Sequence, residues 1–264
     1  MSKRKSEHHF KGHGKKFKSG SNLLDPNTSG IYATCPRGKE NQCRRELLSV
    51  LSEKIPEYFD IPEDDNNEEE DEPKSALSIE EKIKQELSEM KEADKNPKTN
   101  YLQPIDIDVE CVVFIKTRKP VDPVVLVQKY AQECFDSGVK TTRSTQKLTP
   151  ISDSCSTAGD AEEHLKELSK RVLKNHFHQQ DQEPVKFAIQ VSKKHFDTLK
   201  SEEIIKAVAE TIGRDHGHTV DLKNYEKLII VECYKNNIGM SVVEDYIKYS
   251  KFNLQQIYDK TSSH

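Results

Sequence analysis

The chain has 264 residues, room for one or two compact domains, with 33% apolar and 33% charged residues and a net charge of −4. No apolar run reaches 18 residues, which excludes a membrane-crossing helix on length, and the basic, polar N-terminus offers no apolar core for a secretory signal. The six cysteines (35, 43, 111, 134, 155 and 233) form no C-x-x-C pair, as expected for small buried hydrophobes in a reducing, intracellular compartment.

Charge is sharply segregated along the chain. Residues 1–56 carry 12 Lys/Arg against 5 Asp/Glu, residues 57–92 carry 4 against 15, and the remainder is balanced. Residues 1–28 are poor in apolar side chains and are expected to be disordered. Their clusters Lys3-Arg4-Lys5 and Lys15-Lys16-Phe17-Lys18 suit either a solubilising tail or an arm for nuclear import or nonspecific RNA contact.

Order is predicted from Gly30. Ile31 to Cys35 is β-prone and stops at Pro36-Arg37-Gly38; Cys43, Leu47, Val50, Leu51 and Ile55 then share one helical face. Residues 57–73 contain ten acids and no Lys or Arg, and read as a disordered insertion. Three uses of it stay open: binding a basic surface, repelling RNA from one face, or simple solvation. Ser78 and Glu81 mark a capping box on a helix with a narrow apolar stripe. A strand follows through Val109, Cys111, Val113 and Ile115, then a helix from Asp122-Pro123 to Gly138. With a further β segment before Ile151, residues 29–150 read β-α-insert-β-α-β, the order of a ferredoxin-like α/β sandwich. The second half is predicted as a helix from Ala158 to about His176, a strand at 187–191, and a helix carrying Ile204, Ile205, Val208 and Ile212. A Val220-Asp221-Leu222 strand and the apolar strand Leu228–Val231 complete it, with a hairpin partner after Asn236-Asn237.

The candidate functional residues are cations. Thr141–Ile151 reads as a Thr-rich β segment with Lys140, Arg143 and Lys147; Arg143 and Lys147 share a face, and the planar fork of Arg143 suits a phosphate. Lys193 and Lys194 follow a strand directly, where a phosphate can be met, and Lys170 and Lys174 extend the basic set along one helical face. An ordinary solvated surface explains each of these groups equally well. Histidine pairs at 176/178 and 216/218 have no acid or Cys at ligand spacing, so no metal site is expected. No nucleotide-binding glycine loop, zinc-protease or serine-hydrolase motif occurs, so no catalytic residue is expected.

Three stretches occur together and in order: SGIYATCPRGKENQC, the T-R-x-x-x-K-L-x-P-I run at 142–151, and VDLKNY…IIVECYKN…SVVEDY…KFNLQQI. In this the chain resembles the stand-alone eukaryotic THUMP-domain proteins that act as adaptors of tRNA cytidine acetylation. The resemblance implies a mixed α/β fold: a ferredoxin-like domain over 29–136 with an acidic insertion at 57–100, a THUMP domain over 137–249, and a C-terminal tail over 250–264. It implies a non-catalytic protein that binds serine and leucine tRNAs and presents them to a separate RNA cytidine acetyltransferase; with no coiled-coil heptads to argue for self-association, a monomer is expected. That enzyme forms N4-acetylcytidine in the D arm and itself uses acetyl-CoA and ATP, so no cofactor and no small-molecule substrate is expected on this chain. Nuclear, specifically nucleolar, residence and the absence of membrane contact follow from the same resemblance. Lys147 stands where many relatives have Arg, which keeps the charge but loses bidentate geometry. A general RNA-binding or ribosome-assembly factor is the alternative.

Overall fold

A computed structural model describes residues 24–61 and 101–261. The body of the expected acidic insertion, the Ser78 capping-box helix and both basic clusters of the tail lie outside these residues. The first sheet contains β1 (Gly30–Thr34), β2 (Leu102–Ile105), β3 (Val112–Thr117) and β4 (Lys147–Ile151), in the order β2-β3-β1-β4 with every pairing antiparallel. With α1 (Glu40–Phe59) and α2 (Pro123–Ser137) as crossovers, this is the ferredoxin-like arrangement.

Local chemistry accounts for these elements. In α1 the apolar stripe Cys43, Leu47, Leu51, Ile55 and Tyr58 is buried. In α2 the Asp122 carboxylate accepts from the backbone N–H groups of Val124 (2.7 Å) and Val125 (3.2 Å), Pro123 opens the first turn, and Gly138 closes the helix at φ 64°. β3 starts later than its apolar alternation suggests. Asp108 and Cys111 take left-handed backbone, and the Cys111 N–H donates to the Glu40 carboxylate at 2.9 Å instead of to a neighbouring strand.

The second sheet runs β5 (Asp153–Ser156), β9 (Asn237–Val243), β8 (Lys227–Tyr234), β6 (Lys186–Lys194) and β7 (Thr219–Val220) in space. β6 lies parallel to both β7 and β8, while β8–β9 and β5–β9 are antiparallel. Two helices, α3 (Ala161–Phe177) and α4 (Ser201–Ile212), cover one face through Leu165, Leu168, Ile204 and Val208, packed on Ile229, Val231 and Cys233. α3 begins at Ala161, three residues later than expected, because Asp160 caps it by accepting from the Glu163 N–H at 3.1 Å.

The other face of this sheet leans on the first. Leu228, Ile230 and Val243 join the first core, and Tyr234 stacks on Tyr32 of β1 with ring centroids 4.3 Å apart. The chain changes sheet at Ser152, whose N–H donates to Met240 (2.9 Å), while the Ser241 hydroxyl donates to the Pro150 carbonyl (2.7 Å). The boundary expected at residue 137 thus precedes β4, which is hydrogen-bonded to β1. Within the expected tail 1–28, Leu24 and Thr28 are buried, and the Asn27 and Thr28 N–H groups donate to Ser154. Residues 250–261 are not a tail. Ser250–Phe252 form a 3-10 turn and Leu254–Thr261 form α5, burying Phe252, Leu254 and Ile257 in the first core. Three apolar residues in so short a run gave little periodicity to read.

Candidate nucleic-acid interface

The expected Thr-rich strand is a strand only from Lys147 onward. Residues 139–146 form a loop gathered around one carboxylate. Glu46 of α1 accepts from the backbone N–H groups of Arg143, Ser144 (3.0 Å) and Thr145 (3.1 Å) and from the Thr145 hydroxyl (3.0 Å). Arg143 and Lys140 are therefore presented by a pinned loop, and the strand-face relation between Arg143 and Lys147 does not apply. Glu46 carries no signal of this role in the sequence, where it is one more polar residue beside Arg44 and Arg45.

Lys140 and Lys147 both border the C-terminal segment. The Lys140 ammonium reaches the Gln255 side chain and lies 5.9 Å from the Tyr258 ring centroid. Lys147 bridges to Asn253 through the backbone, and its ammonium lies 5.7 Å from the Tyr246 centroid. Such contacts hold a cation in place while leaving it able to meet an anion.

Lys193 and Lys194 point to opposite faces of β6, as the two-residue period of a strand requires. Lys193 turns toward the helices, donating to the Leu199 carbonyl at 2.9 Å over the Phe196 ring. Lys194 turns toward the first sheet and sits 6.0 Å from the Tyr234 centroid. Tyr234 is its partner across the strands, and on the same face, opposite Ser192, stands Glu232, an acid that is only 5% exposed between Val231 and Cys233. Burial holds the Glu232 carboxyl above the usual carboxylate range; a hydrogen bond from Ser192 and the charges of Lys147 and Lys194 oppose that shift. Lys147 and Lys194, 47 places apart in sequence, thus bring their charge within electrostatic reach of one buried carboxylate from two different sheets. The sequence does carry a sign of this site, the lone acid in IIVECY.

Lys170 and Lys174 stand exposed on α3, on the helix-covered side of the second sheet and away from that seam. Their helical neighbours are committed to ion pairs, Lys166 with Glu162 (2.6 Å) and Arg171 with Asp153 (2.7 Å). The seven candidate cations therefore fall into a seam-and-loop set (Lys140, Arg143, Lys147, Lys194) and a helix-side set (Lys170, Lys174, Lys193).

The histidine pairs serve packing. The His218 Nδ1 accepts from the Val185 N–H (3.1 Å), and its Nε2 donates to the Phe177 carbonyl (2.9 Å); the His178 Nε2 donates to the Thr211 carbonyl (3.1 Å). Among the described residues no three His, Cys, Asp or Glu side chains stand close enough to hold a metal ion. Burial pushes the thiols of Cys35, Cys155 and Cys233 up to about 12, so none is a thiolate near neutral pH.

The family model of the THUMP domain matches residues 160–243, which span α3 through β9. The tRNA acetyltransferase TAN1 of Saccharomyces cerevisiae is 44% identical over 263 residues, covering 93% of this chain and 90% of that protein. THUMP domain-containing protein 1 of Mus musculus is 29% identical, covering 90% of this chain and 67% of its own length. Among solved structures, TrmN from Thermus thermophilus aligns over 81% of this chain and 45% of its own, at 14% identity and a TM-score of 0.42.

Proposed function

The chain belongs to the family of THUMP-domain proteins that includes yeast TAN1, and on that premise we propose that it is a tRNA-binding adaptor in tRNA acetylation. Its substrates are serine and leucine tRNAs, which it presents to a separate RNA cytidine acetyltransferase for N4-acetylcytidine formation in the D arm. The observation that carries this reading is the 44% identity to TAN1 across nearly the whole of both chains. The yeast relative is named for acetyl transfer, yet the described residues favour an adaptor. Three of the thiols are buried and held protonated, and Lys140, Arg143, Lys147 and Lys194 lie along the seam and its loop instead of around a nucleophile. On this reading acetyl-CoA and ATP are handled by the partner, and the chain works beside it in the nucleolus.

The mechanism is presentation. Lysine and arginine contacts to phosphate supply affinity and orientation without reading sequence. Two packed sheets, with Tyr32 on Tyr234 and Ile151 close over Gly239, form one platform for the cations of the seam. A tRNA seated on it offers its D arm at a set distance to an enzyme docked elsewhere on the chain, which lowers the entropic cost of the encounter.

The test is acetylation of a serine tRNA by the purified acetyltransferase with and without this chain. Acetylation that needs the chain supports the adaptor reading. Acetylation by the chain alone with acetyl-CoA and ATP would make it the enzyme. Unchanged acetylation in its absence would leave the general RNA-binding factor.

A further inference from the structure

Glu232 stands where an acid is costly. It lies on the face of β8 that meets the first sheet, in the alternation between Ile230 and Tyr234, with Ser192 of β6 and Gly239 of β9 directly opposite. Ile151 of β4 closes over Gly239, so solvent is shut out on that side. Taking a carboxylate out of water costs several kcal/mol unless its partners replace the lost hydration, and an apolar side chain of similar volume often packs as well or better. Ser192 stands directly opposite on β6, Lys194 is two residues further along the same face of that strand, and the charge of Lys147 reaches the carboxylate from the first sheet. Each ammonium is also seated over a tyrosine ring, Tyr246 for Lys147 and Tyr234 for Lys194. The remaining titratable neighbours are Tyr32, Tyr234 and Cys233, whose ionisation burial holds above its ordinary range. Glu232 is thus the one carboxyl of this cluster, and burial makes it the first group there to change charge as pH falls.

We infer that Glu232 is a positioning residue: it is the shared counter-charge that holds Lys147 and Lys194 at one seat across the seam, where a phosphate of bound RNA takes over both lysines. This rests on the tRNA-binding reading above. A phosphate beside the carboxylate disfavours its ionised form, because like charges in a partly desolvated site repel. Binding is therefore accompanied by proton uptake at Glu232. Affinity rises as pH falls toward the elevated range of that carboxyl, and removing the charge removes the dependence.

The experiment is calorimetry of a serine tRNA binding to the full chain at about pH 5.5, in two buffers of different ionisation enthalpy, with affinities also measured at about pH 7.5. Wild type, Glu232→Gln and Lys194→Ala are compared. The wild type should take up a fraction of a proton. Glu232→Gln should take up less and bind roughly threefold to tenfold tighter at about pH 7.5. Lys194→Ala should lose both affinity and uptake while keeping the carboxyl. Equal uptake by wild type and Glu232→Gln overturns the inference; if the Gln variant does not fold, equal uptake by Lys194→Ala overturns it instead. Binding with a normal salt dependence but no Glu232-linked proton sinks this role alone. Failure of the wild type to bind tRNA sinks the tRNA-binding reading as well.

Discussion

Gly239 of β9 lies directly beneath Ile151 of β4, so close that a Cβ on the glycine would stand 2.7 Å from the isoleucine Cγ2. The absent side chain is what lets the second sheet press against the end strand of the first. It also brings Glu232, opposite Gly239, under the seam.

Gly239→Ala should therefore destabilise the protein, by about 1–3 kcal/mol as overpacking of a closed site does. Ile151→Ala in the same background should recover part of that stability, because it removes the Cγ2 that the new methyl meets. Chemical denaturation of the single and double variants measures both, and independent effects of the two changes would mean that this close approach is not what limits the packing.

Glu46 pins residues 143–145 by accepting their N–H groups. Replacing it with Ala should release the loop at a cost of about 1–3 kcal/mol, because one carboxylate serves several donors at once. Amide hydrogen exchange should show protection falling at Arg143, Ser144 and Thr145 while β4 stays protected. Protection unchanged at those amides would show that the loop holds itself.

The two cation sets should behave differently toward RNA. Substituting Arg143, Lys147 and Lys194 together with Ala should weaken tRNA binding and flatten the slope of log affinity against log salt by roughly 0.7–0.9 for each phosphate no longer neutralised. Lys170→Ala with Lys174→Ala should change the slope less, since those lysines stand on the helix-covered side. A larger effect from the α3 pair would move the interface to that face.

Ile257 of α5 is fully buried in the first core together with Phe252 and Leu254. Ile257→Ala should cost about 2–5 kcal/mol, the range for emptying a closed apolar site. Urea unfolding checks this, and a change below about 0.5 kcal/mol would show that the C-terminal helix is only loosely attached.

Much of this fold was legible without coordinates because its information is local. The stripe Cys43–Leu47–Leu51–Ile55, the Asp122-Pro123 start, the Gly138 stop and the apolar strand at 228–231 each declare an element within one or two turns of chain. Candidate cations could be named from residue type, and the family resemblance rested on motifs in order. What sequence could not decide is which of those cations act together. Lys193 and Lys194 are neighbours in the chain but lie on opposite faces of β6, whereas Lys147 and Lys194 belong to different sheets and bring their charge to bear on one acid. Loop 139–146 is held by a side chain almost a hundred residues earlier, and residues 250–261 become a helix only because α2 and β4 offer them an apolar surface. Periodicity, caps and turns are written in adjacent residues; a charge seat across two sheets exists only once long-range packing has brought them together and excluded water between them.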